Sequence, residues 1–166
     1  MLVTSHARRP MVYLAAPLFN DAERAFNSLV ARELETIVDV YLPQRDGGLM
    51  SEMVAAGIEE TVAACRVFKR DVDAILQSDG LIAILDGRVI DEGLAFELGV
   101  AFAHSKRCVG LQTDCRRLAP WGNNPMITGA IEAIFHTVIE LLAWTQSELG
   151  SKHILNGPIR RDQVEN

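Results

Sequence analysis

The chain has 166 residues, 49% of them apolar, and a formal net charge of −6. That is the size and composition of one globular domain with a sizeable core, and it excludes a disordered chain. The acidic balance and scattered basic residues speak against a nucleic-acid polymer as partner, and no apolar run reaches the ~18 residues that a membrane span needs.

Residues 1–10 are polar and basic, with His6, Arg8 and Arg9 and no apolar stretch, so a disordered leader is expected there rather than a signal peptide. The domain is expected over 11–150. Residues 11–16 read as a short apolar strand that stops at Pro17. Asn20 or Asp21 is placed to cap a helix reaching about Glu35, with Ala22, Phe26, Leu29, Val30 and Leu34 at helical spacing. Residues 38–42 alternate as a strand up to Pro43, and 44–48 form a turn-rich loop. Ser51 is placed to cap a second helix with Met53, Val54, Ile58 and Val62 on one face, and helical pattern resumes as far as Leu76. Residues 81–85 form a central buried strand, followed by a helix that runs to about Ser105. Further strands are expected over 107–112 and 131–135, separated by a long polar loop over 113–125. An amphipathic helix is expected over 137–149, and a mobile polar tail over 151–166. Strands alternating with helices give an α/β fold: a flavodoxin-like, doubly wound, five-stranded parallel sheet with helices on both faces.

Three cysteines, Cys65, Cys108 and Cys115, carry no metal-type spacing. They fit free thiols in a reducing, cytoplasmic compartment. His6, His104, His136 and His153 form no ligand motif, so no metal or organic cofactor is expected. After the first strand, 16–20 read Ala-Pro-Leu-Phe-Asn, without a glycine-rich phosphate loop, and no G-x-S-x-G elbow occurs anywhere.

What remains is carboxylates: Asp71, Asp73, Asp79, Asp86, Asp91, Glu92 and Glu97. Asp73, Asp79 and Glu92 read as solvated charges. Asp86 ends the central strand, where a cap or turn residue is equally at home. Glu97 differs, because Leu94, Ala95, Phe96, Leu98, Val100, Ala101 and Phe102 surround it. A carboxylate is costly to bury in such a setting unless it is paired or used. Asp91 lies at the positive end of the same helix. Tyr13, on the neighbouring strand, is the natural hydrogen-bond companion of Glu97, and Phe19 is placed to stack on a planar ligand. A buried carboxylate nucleophile suits cleavage of a glycosidic bond.

The run Asp-x-Gly-x-x-x-Glu-x-Gly over 91–99, its strand and Asp-Gly lead-in over 81–87, and the opening Val-Tyr-Leu-Ala-Ala-Pro-Leu-Phe over 12–19 resemble the nucleoside 2-deoxyribosyltransferases and their nucleotide N-glycosidase relatives. The resemblance runs from about residue 11 to 137, with Ala16 where a glycine is usual. It implies that Glu97 attacks the sugar C1′ and forms a covalent deoxyribosyl-enzyme, with Tyr13 orienting it. Asp71 and Asp91 would contact the base, one of them protonating it. Phe19 would line the base pocket and Gln44 would meet the base edge. Asp86, Gly87 and Gly93 would line the substrate site. Asn124 and Met126 would come from a second copy to the 5′-hydroxyl, with Gly129 downstream, which implies a homodimer or higher homo-oligomer. The implied partners are a small nucleoside or nucleotide and a free base. Hydrolase relatives acting on 5′-monophosphates tend to carry serine at the Asn124 position, so Asn124 favours the transferase. Ser78, Arg88 and Arg116 are the candidates for holding a phosphate in the alternative. A non-catalytic nucleotide-binding module is a third reading, against which Glu97 and Tyr13 together count.

Overall fold

The computed structural model describes residues 8–116 and 122–150. Most of the expected leader, all of the expected tail and part of the loop before Pro125 lie outside the described residues. The elements run β1 (Met11–Ala15), α1 (Asp21–Leu34), β2 (Asp39–Tyr41), α2 (Met50–Ala55), α3 (Glu60–Gln77), β3 (Gly80–Ile84), α4 (Glu92–Ala103), β4 (Arg107–Leu111), α5 (Pro125–Thr128), β5 (Ala133–Phe135) and α6 (Val138–Thr145). Single π-helical turns, Pro43–Gly47 and Gln146–Gly150, follow β2 and α6.

All five strands pair in parallel in the order β2-β1-β3-β4-β5, the flavodoxin-like order expected from the sequence. Strand side chains alternate between two cores. Val12, Leu14, Ile82, Ile84, Val109 and Leu111 face α1 and α6. Tyr13, Ala15, Leu81, Ala83 and Cys108 face α3 and α4. Burying each large aliphatic side chain contributes about 1.5–3 kcal/mol, so both faces are covered for the same reason.

Helix starts follow local chemistry. Asn20 caps α1 in a reciprocal arrangement with Glu23, and Thr137 caps α6 in the same way with Glu140. The expected start at Ser51 is displaced. Leu49 precedes α2 and makes no side-chain cap, α2 stops at Ala55, and Gly57 takes a left-handed φ of 85°. A fresh helix then begins with Glu59 as its cap. The apolar face drawn through Met53, Ile58 and Val62 is therefore split between two helices. The last strand also starts later than expected, at Ala133, and Ile131 still bonds back to the Thr128 carbonyl at the end of α5.

Candidate active site

Tyr13 sits mid-strand in β1 and points to the α3/α4 side, where it is 0% exposed. Its hydroxyl donates to Glu97 Oε1 at 2.5 Å. Glu97 lies in the second turn of α4, flanked by the buried Leu94 and Leu98. Burial pushes the Glu97 carboxyl up to about 8, further raised by the charges of Asp71 and Asp91, and the Tyr13 hydrogen bond opposes this. Burial, then the charges of Glu97 and Asp71, hold the Tyr13 hydroxyl protonated far above the usual phenol range. Tyr13 is thus a fixed donor, never a competing base.

A second pair lies alongside. Parallel register sets Tyr41 of β2 opposite Tyr13, and the rings stack with centroids 5.4 Å apart and planes 17° apart. The Tyr41 hydroxyl donates to Asp71 Oδ1 of α3 at 3.0 Å. Burial raises the Asp71 carboxyl, against the Tyr41 hydrogen bond and the nearby Arg70 charge. The π-helical turn closes over this pair. A Cβ at Gly47 would come within 2.8 Å of Asp71 Oδ1 and 3.3 Å of the Tyr41 hydroxyl, so only glycine allows the turn to lie so close. Arg70 fixes the turn by donating to the Gly47 carbonyl at 2.8 Å.

Asp91 is the N-cap of α4; its Oδ1 accepts from the Leu94 N–H at 2.8 Å. Among the described residues no group of three His, Cys, Asp or Glu side chains is arranged to hold a metal ion, and no helix is long and apolar enough to cross a membrane. The arrangement offers two neighbouring carboxyl groups, each held by a tyrosine.

The model for the family described as nucleoside 2-deoxyribosyltransferase matches residues 12–151. The chain belongs to that family. Membership makes it an enzyme class that acts on N-glycosidic bonds of small nucleoside substrates. No curated protein matches the sequence. A conserved protein from Enterococcus faecalis is similar in structure, with a TM-score of 0.66 and 26% identity over 86% of this chain and 100% of that one. The 2-deoxyribosyltransferase of Bacillus psychrosaccharolyticus shares the fold at a TM-score of 0.69 and 23% identity, over 84% of this chain and 95% of its own. So does the CMP N-glycosidase of Clostridium botulinum, at 0.50 and 21%, over 80% and 96%.

The remaining residues that resemble this family's motifs are placed unevenly. Phe19 is 74% exposed in the β1–α1 loop. Gln44 turns onto α1, donating to the Arg24 carbonyl and Ser28 hydroxyl and accepting from Asn27. All its polar atoms are engaged there, while the neighbouring Asn27 Oδ1 is buried without a partner among the described residues. Asp86 accepts from the Thr113 hydroxyl at 2.6 Å and the Asp114 N–H at 2.8 Å, tying the loop after β3 to that after β4. Gly87 makes the turn at φ 113°. Gly93, in the first turn of α4, packs against the Asp91 carboxylate. Asn124 caps α5 by accepting the Met126 N–H at 2.9 Å, and Met126 is 81% exposed. Both border a cleft of about 510 Å³ that α5 shares with Ala95, Leu98, Gly99 and Phe102 of α4. Glu97 is not among the residues that line that cleft.

Tyr41 escaped the sequence reading. The alternation over 38–42 gave it a face, but only the β1–β2 register puts that face beside Tyr13.

Proposed function

We propose that this chain is a nucleoside 2-deoxyribosyltransferase, which moves 2-deoxyribose from one base to another through a covalent intermediate on Glu97. The observation that carries the reading is the half-buried Glu97 carboxyl with the Tyr13 hydroxyl 2.5 Å from Oε1. Oε1 is anchored, and Oε2 is left to attack.

An Oε–C1′ bond forms as the C1′–N bond breaks, and the bonding pair leaves with the base. Asp71 delivers a proton to the departing base. It is favoured over Asp91 because Asp91 is engaged in capping α4, whereas Asp71 is a carboxyl raised by burial and held by Tyr41. The acceptor base then attacks C1′, the pair returns to Glu97, and the acceptor's proton passes to Asp71. The reactive form needs a proton on Asp71 and the negative charge on Glu97.

Phe19 covers the base, and Asp91, Asp86, Gly87 and Gly93 shape the rim at the start of α4. Gln44 reaches the base edge only by leaving its α1 partners. Asn124 and Met126 serve the 5′-hydroxyl of a neighbouring copy in a homodimer or larger assembly. The exposure of Met126 and the cleft beside Asn124 support this.

Hydrolysis of a nucleoside 5′-monophosphate by the same glutamate is the second reading. The phosphate groups expected for it are poorly placed. Ser78 is buried and donates to the Ala74 carbonyl, and Arg116 is paired with Asp114. Arg88 remains. Product analysis with deoxyinosine plus adenine, beside dIMP alone, separates the readings. Deoxyadenosine that disappears in Glu97→Ala supports the transferase; hypoxanthine from dIMP without base exchange supports the hydrolase.

A further inference from the structure

The Tyr41 hydroxyl is the neutral donor next to the acid of the proposed reaction, and it repeats on β2 what Tyr13 does on β1. A half-buried phenol can satisfy its hydroxyl on any carbonyl or on water; here it is spent on a half-buried carboxyl. We propose that Tyr41 is a positioning residue for Asp71: its hydroxyl holds Oδ1, and its ring, stacked on Tyr13, fixes the acid relative to Glu97. This rests on the reading of Glu97 as nucleophile and Asp71 as acid.

Geometry gives the two Asp71 oxygens different tasks. Oδ1 accepts from Tyr41 and lies under the backbone of Gly47, where not even a methyl group fits. A proton on Asp71 is therefore directed to Oδ2, the oxygen that neither Tyr41 nor the turn takes up. With the ring held by its stack and the turn held by Arg70, the carboxyl plane has little freedom to rotate. An acid held in one orientation keeps the alignment that proton transfer needs. The charged and titratable groups facing Asp71 are Tyr41 from β2, Tyr13 from β1, Glu97 from α4 and Arg70 from its own helix.

The test compares two sugar donors in the full-length enzyme. The adenine of 2′-deoxyadenosine needs a proton to leave. The base of N7-methyl-2′-deoxyguanosine leaves as a neutral species without one. Tyr41→Phe keeps the ring and removes the hydroxyl. For deoxyadenosine, kcat falls on the order of tenfold, the low end of what a general acid contributes, with KM unchanged within about twofold. For the methylated donor the single-turnover release of the base, followed without an acceptor and taking no proton from Asp71, is unchanged. Tyr41→Phe adds no further loss in an Asp71→Asn background. The limb of the kcat pH profile that reports Asp71 moves to higher pH, because a donor to the ionised carboxylate is gone. A tyrosine carrying fluorine at ring position 3, placed at residue 41, is a stronger donor in the same shape and moves that limb to lower pH. This arm decides alone if loss of the hydroxyl unfolds the chain. Equal losses on both donors, additive losses with Asp71→Asn, or a limb that neither change moves overturn the proposal. A wild type that turns over neither donor overturns the transferase reading itself, and the role of Tyr41 with it.

Discussion

Replacing Tyr13 by phenylalanine removes one oxygen and leaves the ring stack and the β1 register in place. The Tyr13 hydroxyl is the group that pulls the Glu97 carboxyl down from its burial-driven rise to about 8. At pH 7, a carboxyl titrating near 8 is ionised in about one molecule in ten. A hydrogen bond to a charged acceptor is worth about 1.5–3 kcal/mol, so its loss moves the titration up by roughly one to two pH units. The nucleophilic form at pH 7 then drops to about one molecule in a hundred or fewer. The expected outcome for Tyr13→Phe is a kcat/KM for base exchange that falls about ten- to a hundredfold at pH 7. The deficit shrinks as pH rises, because Glu97 becomes ionised in both proteins once pH passes the shifted titration. Chromatographic initial rates from about pH 5 to about pH 10 read this directly. An unmoved limb over a uniformly lower plateau would refute the reasoning, since Tyr13 would then act on something other than the charge of Glu97.

Glu97 also links pH to stability. Its folded value of about 8 lies above the ordinary 4.5, so the folded chain keeps a proton that the unfolded chain releases. The stability this contributes is fully present below about 4.5, is lost as pH rises toward 8, and levels off beyond it. Urea unfolding of Glu97→Gln should lose that slope and exceed wild type by on the order of a few kcal/mol at the alkaline end; parallel wild-type and variant slopes would contradict it. Gly47→Ala should push the Asp71 carboxylate off Tyr41, costing about 1 kcal/mol of stability and a larger share of activity, measured by a urea midpoint beside kcat. Mixing inactive Glu97→Ala with impaired Asn124→Ala should restore activity, because mixed oligomers hold some sites with both residues intact; no recovery after subunit exchange would place Asn124 in its own chain's site or outside the site altogether.

The strands, both helical layers and the Tyr13–Glu97 contact were legible because local patterns marked the elements and their strict alternation implied a topology that sets β1 beside β3. Apolar runs marked the strands, 3.6-residue spacing marked the helices, and a carboxylate in an apolar helix demanded a partner. What sequence did not yield depended on relations between distant segments. Tyr41 needed the β1–β2 register. The engagement of Gln44 with Asn27 and Ser28 needed the angle at which the π-helical turn meets α1. The break at Gly57 was hidden because helical spacing continues across it, although the backbone does not.

The paired tyrosines also act as a ruler. Neighbouring strands lie ~4.8 Å apart in any parallel sheet, and each carboxyl hangs from a tyrosine on its own strand. The two tyrosine anchors are therefore spaced by the main-chain repeat, and on the proposed reading they space the acid from the nucleophile. Core residues behind β1 and β2 can be exchanged with little effect on that spacing. A one-residue slip of the three-residue β2, by contrast, would turn Tyr41 to the opposite face and leave Asp71 unheld. The tolerance of this site to sequence change is thus uneven: wide in the core behind it, and narrow at one short edge strand.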